Sequence, residues 1–132
     1  MKILDTDHCV FILRGRLDLR GRVASDERLA LTTISIAELT YGAHKSSRPQ
    51  ENLAGLDAFL VGLEWLDFDQ YSARRYGYLR ARLEKQGDIL SDLDLQIASI
   101  ALQAGAPLLT HNRRHFERLL SISDLQLEDW LA

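Results

Sequence analysis

The chain has a single cysteine, Cys9, so it can form no intramolecular disulfide. That scarcity suits a reducing compartment, and the protein is expected to be cytoplasmic. No apolar run approaches the roughly 20 residues that a membrane-spanning helix needs. The opening Met1-Lys2-Ile3-Leu4-Asp5 brings charge too early for a secretory signal. With only 2 prolines and 8 glycines, the chain has no low-complexity tract or linker, and no internal repeat is visible. A formal net charge of -3 also lacks the basic excess that would by itself announce a nucleic-acid binder.

What is present is an ordinary globular composition, with 46% hydrophobic and 27% charged residues. A length of 132 residues fits one domain over 1–132 that can bury a core unaided. Arginines bunch at Arg14, Arg16, Arg20 and Arg22, and again at Arg113, Arg114 and Arg118. Such clusters suit either a basic rim around an acidic centre or a solvated surface.

Apolar and polar residues alternate in blocks along the chain. Lys2-Ile3-Leu4 predicts a strand, after which Asp7 is placed to cap a helix carrying Cys9, Val10, Ile12 and Leu13 inward. A short second helix is expected in the arginine-rich stretch between Gly15 and Gly21. Leu29 to Thr33 predicts a second strand, followed by a helix over about Ser35–Ala43. Lys45 to Gln50 reads as a loop, and a helix over about Glu51–Gly62 completes a helical hairpin. Glu64 to Phe68 predicts a third strand, and Asp69 caps a long helix reaching about Lys85. From Leu93 to Ala104 the chain is apolar almost all round, which predicts a buried helix ended by Gly105. Pro107 to Thr110 and Leu125 to Leu127 complete the strands. Strands alternating with helices predict a three-layer α/β/α domain with a mainly parallel sheet.

In such a fold the carboxyl ends of the strands form the ligand-binding edge. Asp5 follows the first strand, Glu38 and Asp94 lie in first turns of helices, and Thr110 and Asn112 follow a later strand. Ser35-Ile36-Ala37-Glu38 and Ser91-Asp92-Leu93-Asp94 also match the capping-box pattern, in which acids collect at helix N-termini for stability alone. Convergence adds a second meaning. Two carboxylates about 4 Å apart repel by about 4 kcal/mol at an effective dielectric near 20. Three meeting at one edge must either protonate or attract a cation. Oxygen ligands without His or Cys suit magnesium, or manganese in its place. Such an ion activates water and offsets charge on a phosphoryl group, so the residues point to metal-assisted phosphodiester chemistry.

Leu4-Asp5-Thr6-Asp7, Ser35-Ile36-Ala37-Glu38-Leu39, Asp92-Leu93-Asp94-Leu95-Gln96-Ile97-Ala98 and Leu109-Thr110-His111-Asn112 together resemble the ordered motifs of PIN domains, and most of all the VapC-type toxins of type II toxin–antitoxin systems. The likeness runs down to Leu127-Glu128-Asp129-Trp130-Leu131. The resemblance implies a magnesium-dependent endoribonuclease, often a homodimer, held inactive by a partner antitoxin. It implies that Asp5 and Asp94 are the principal metal ligands, that Glu38 completes the centre directly or through a water, and that Thr110 orients a ligand carboxylate. Many family members carry a fourth acid where this chain has Asn112, and Asp7 and Asp92 are the nearby acids that could compensate or simply cap helices.

Other features have two readings each. His111 and His115 have the i, i+4 spacing of a zinc site but lack its glutamate and a third ligand, so surface or RNA-proximal positions are expected. Cys9 reads as a buried apolar side chain. Arg75, Tyr78, Arg82 and Lys85 form a helix stripe suited to RNA backbone and base, to solvent, or to a dimer contact; Tyr78 and Arg82, with Arg113 and Arg114, are the candidate substrate contacts. Asp5-Thr6-Asp7 is also how aspartyl-nucleophile phosphotransferases of the haloacid dehalogenase type begin, although these need a cap and a later Lys and leave Glu38 idle. A PIN-like module that binds RNA or protein without cutting is the reading that Asn112 keeps open.

Overall fold

The computed structural model describes residues 1–131. Its strands are β1 (Lys2–Leu4), β2 (Leu29–Thr32), β3 (Glu64–Leu66), β4 (Leu108–Leu109) and β5 (Leu127–Glu128). Its helices are α1 (Thr6–Leu13), α2 (Thr33–Lys45), α3 (Pro49–Leu60), α4 (Gln70–Lys85), α5 (Asp92–Ala104) and the short α6 (Arg113–Phe116), which runs into a 3-10 turn at Glu117–Leu119. The strands form one sheet in the order β3-β2-β1-β4-β5, and every pairing is parallel.

Pleating sends successive side chains to opposite faces and so builds two cores. Ile3, Ala30 and Leu108 face α4 and α5, where Leu79, Leu83, Ile97, Ala98 and Ala101 close over them with Phe116 and Leu119. Their neighbours Leu4, Leu31 and Leu109 face the other way, against Cys9, Leu39, Leu56 and Leu60. The architecture is the α/β/α sandwich that the alternating blocks predict.

The strand order reverses beside β1. From β1 the chain builds outward to β2 and β3, then returns through α4 and α5 to β4 on the opposite side. The carboxyl ends of β1 and β4 therefore flank the crevice at the topological switch point.

Several local expectations change. Asp5, not Asp7, caps α1: its backbone is extended, with φ -69 and ψ 163, and its side chain accepts from the Thr6 N–H. Thr32, not Ser35, caps α2, its hydroxyl accepting the Ser35 N–H at 3.1 Å. Ser35-Ile36-Ala37-Glu38 is therefore not a capping box, and the buried Ser35 hydroxyl is available to other partners. No helix forms between Arg14 and Arg28, because Gly15 and Gly21 hold left-handed φ values of 68 and 78 that interrupt the chain. The hairpin loop is shorter than expected: α3 begins at Pro49, whose missing N–H falls where a helix start leaves one unpaired anyway. The last strand begins two residues later than expected, at Leu127–Glu128, with Leu125 buried ahead of it. Asp69 caps α4 through the Ser72 N–H, and Gly105, at φ 66, ends α5, both as the sequence predicts.

Candidate active site

Asp5 stands at the switch point, where β1 gives way to α1, and is only 3% exposed. Both of its oxygens accept hydrogen bonds. The Thr6 N–H reaches Oδ1 at 2.8 Å, and the Thr110 hydroxyl, at the end of β4, reaches Oδ2 at 2.7 Å. Burial pushes the Asp5 carboxyl up from the ordinary carboxylate range to about 7. The charge of Asp7 pushes the same way and that of Asp94 adds to it, while the bonds from Thr110 and Thr6 pull against them. A buried carboxyl facing two further acids is the electrostatic centre of this edge.

Thr6 links that centre to α2. Its backbone serves Asp5, and its hydroxyl donates to Glu38 Oε1 at 2.8 Å, with Ser35 Oγ at 2.9 Å from the same hydroxyl. Glu38 is thus drawn toward the Asp5 side of the crevice by the residue next to Asp5. Thr6 and Ser35 are positions that sequence reasoning missed: Ser35 reads as part of a capping box, and Thr6 lies between two acids that draw the attention.

Asp94 enters from α5. Ser91 caps that helix by accepting the Asp94 N–H at 3.2 Å, as the pattern predicts, which leaves the half-buried Asp94 carboxylate free of the cap. Its Oδ2 lies 3.7 Å from His115 Nδ1. Asp92 points elsewhere: it accepts from Tyr76 Oη at 2.7 Å and from Arg80 at 3.3 Å, on the outer surface between α4 and α5. The structure does not bring Asp92 to the cluster.

Asp7 is held on both sides. Its Oδ1 meets His8 Nδ1 at 2.8 Å, and its Oδ2 accepts the His111 N–H at 2.9 Å. Asn112 contributes through its backbone, whose N–H donates to Thr110 Oγ1 at 3.1 Å, while its side chain makes no capping bond to α6. His111 and His115 turn to different carboxylates, Asp129 and Asp94, which removes the zinc reading of their spacing. Cys9 is fully buried and its thiol is pushed far up by burial, then by Asp5 and Asp7, so it is inert.

The basic residues divide. Arg113 and Arg114 open α6 directly after Asn112, exposed at the same edge, and Arg113 also reaches the Leu127 carbonyl at 3.3 Å. Arg14 to Arg22 are not part of the rim. They follow the far end of α1, where Arg14 lies beside Ala43 and Ser46 at the end of α2, so parallel topology places them at the amino edge of the sheet. Tyr78 and Arg82 also lie apart from Asp5: they bond to each other at 2.8 Å, and Tyr78 borders a cavity of about 440 Å³ with Gly105 and Ala106 at the amino end of β4.

Asp5, Asp94 and Glu38 offer only carboxylate oxygens, the donor chemistry of a hard divalent cation. Among the described residues no three His, Cys, Asp or Glu side chains are already drawn together tightly enough to ligate one ion. Their oxygen-only chemistry fits magnesium or manganese, and a cation there would offset the charge that burial and the neighbouring acids disfavour on Asp5. Among the described residues no helix is long and apolar enough to cross a membrane.

Known proteins resemble this chain over nearly its full length. The tRNA(fMet)-specific endonuclease VapC of Salmonella typhimurium is 36% identical over 130 residues, covering 97% of this chain and 96% of that protein. The crystal structure of VapBC2 from Rickettsia felis, bound to a DNA fragment from their promoter, contains a chain 37% identical that superposes with a TM-score of 0.88 over 98% of each chain. VapBC-5 from Mycobacterium tuberculosis, a member of the VapBC family of toxin-antitoxin systems, is 28% identical with a TM-score of 0.71, over 97% of this chain and 95% of that one. Residues 2–119 match the PIN domain, and with relatives this similar over nearly its full length the chain belongs to the PIN domain family.

Proposed function

We propose that this chain is a metal-dependent endoribonuclease, the toxin component of a type II toxin–antitoxin pair acting in the cytoplasm. The observation that carries the reading is Asp5: a carboxyl almost out of solvent at the switch point, raised to about 7, with Asp7 and Asp94 adding negative charge beside it. Such a site is unfavourable for a protein on its own and favourable for one that holds a cation.

Asp5 and Asp94 are the principal ligands in this reading, and Glu38 completes the set. Bound there, magnesium supplies an activated water and offsets charge on a phosphodiester. The protein's own part is orientation. Thr110 and Thr6 fix the Asp5 carboxylate, and Thr6 turns Glu38 toward it. Arg113 and Arg114 face solvent at the same edge, where they suit the phosphates of an RNA strand.

The partner follows from the relatives, since the related crystal structures hold toxin together with antitoxin as VapBC complexes. A cognate antitoxin with a basic side chain could compete for the Asp5–Asp94 acids, and a homodimer is the assembly the family suggests. The phosphotransferase reading loses its basis, because residues 2–119 match the PIN domain and Glu38, idle in that reading, is tied to the residue beside Asp5. In a non-cleaving module, RNA would bind without a metal requirement. The test is RNA cleavage by the purified chain across a magnesium titration, with a chelator control and with co-expressed antitoxin. Cleavage that needs metal and stops with antitoxin supports the proposal, and metal-independent binding without cleavage contradicts it.

A further inference from the structure

His8 is a fully buried histidine in the first turn of α1, and nothing in the reaction proposed above uses it. Its ring is held at both nitrogens. Nε2 accepts the backbone N–H of Trp130 at 3.1 Å, so that nitrogen carries no proton and the proton sits on Nδ1. Nδ1–H then donates to Asp7 Oδ1 at 2.8 Å. The neighbouring Asp129 lies 3.8 Å from Nε2 and is engaged by His111 at 2.9 Å and by the Leu131 N–H at 2.8 Å. The segment after β5 thus sets the direction of a buried hydrogen bond at the start of α1.

The consequence reaches Asp5 through Thr110. The Thr110 hydroxyl has one proton and two carboxylates in reach, Asp5 Oδ2 at 2.7 Å and Asp7 Oδ2 at 3.4 Å. Asp7 is already satisfied, by His8 on one oxygen and by the His111 N–H on the other. The Thr110 proton is therefore left to Asp5, which keeps that carboxylate aimed with its remaining lone pairs free. Without the His8 donor, Asp7 would turn to Thr110 for a partner and draw the proton away from Asp5.

We propose that His8 is a positioning residue for the metal centre, acting through Asp7 and Thr110 on Asp5, with Trp130 selecting its tautomer. The inference rests on the metal site proposed above. Three substitutions separate the donor from the packing. His8→Asn keeps an N–H near the Nδ1 position and loses the acceptor for Trp130. His8→Gln reaches the Nε2 position but has no donor near Asp7. His8→Leu has neither.

Calorimetric manganese binding to the folded chain and its variants reads the effect without any assay of cleavage. Affinity should fall by about tenfold or more in His8→Gln and His8→Leu, the range seen when groups supporting metal ligands are lost, and return largely in His8→Asn. Melting temperatures serve as the control for packing: His8→Gln keeps the Trp130 bond, so a purely structural role would make it the mildest change in both measurements. Unaltered affinity in all three variants, or affinity that tracks melting temperature with His8→Gln the mildest, overturns this inference and leaves the metal site standing. No manganese binding by the unaltered chain overturns both.

Discussion

Thr110 donates its hydroxyl proton to Asp5 across the crevice between β4 and β1, at 2.7 Å and with both residues buried. The same oxygen accepts the Asn112 N–H at 3.1 Å. Thr110→Val keeps the shape and leaves both partners unpaired, which should cost about 1–3 kcal/mol. The loss should be larger at pH 8 than at pH 5, because the bond favours the ionised form of Asp5. Urea unfolding at the two values tests this, with Thr110→Ser recovering most of the difference. A Val variant as stable as the parent at pH 8 would remove the hydroxyl from the account.

The raised Asp5 carboxyl has its own signature in the metal-free protein. Its folded value of about 7 lies above the ordinary 3.8, so the stability it confers is full below about pH 4 and is lost as pH rises toward 7. Asp5→Asn lacks the buried charge. It should melt higher than the parent at pH 8, by an amount worth at most about 4 kcal/mol, and match it near pH 4. Millimolar magnesium at pH 8 should then stabilise the parent and leave the variant unmoved. Parallel melting curves across this range would contradict the electrostatic account of Asp5.

Asn112 is a backbone participant whose side chain is exposed at the start of α6. Asn112→Asp should therefore fold normally, shift metal affinity and leave activity within the same order of magnitude. A large gain in cleavage on adding that acid would show instead that the unaltered site is crippled, and would favour the binding-module reading.

Much of this was legible in the sequence because parallel α/β topology is. Once strands and helices alternate, residues just after strands share one edge with the start of a helix that runs back into the next strand, and Asp5, Thr110 and Asp94 fall there without any knowledge of distances. The same rule, followed through, places Arg14 to Arg22 at the opposite edge; proximity in sequence to Asp5 concealed that. Asp92 and Asp94 are two residues apart on α5, and only the packing of Tyr76 and Arg80 shows that Asp92 turns outward. Thr6, Ser35 and His8 were hidden for a different reason. Their roles are hydrogen bonds between elements distant in sequence, reaching Glu38 in one case and Trp130 in another. No local pattern encodes such partners.

The central claim is that the carboxylates of this edge hold the metal that cleaves RNA, and Asp94→Asn tests it most directly. Ser91 caps α5 through the Asp94 backbone N–H, so the substitution keeps the cap and the fold while removing one charged ligand. Magnesium-dependent cleavage of RNA by the purified variant should fall by about a hundredfold or more, at a melting temperature no lower than the parent's in the absence of metal. Cleavage at the parent's rate by a folded Asp94→Asn chain would contradict the account.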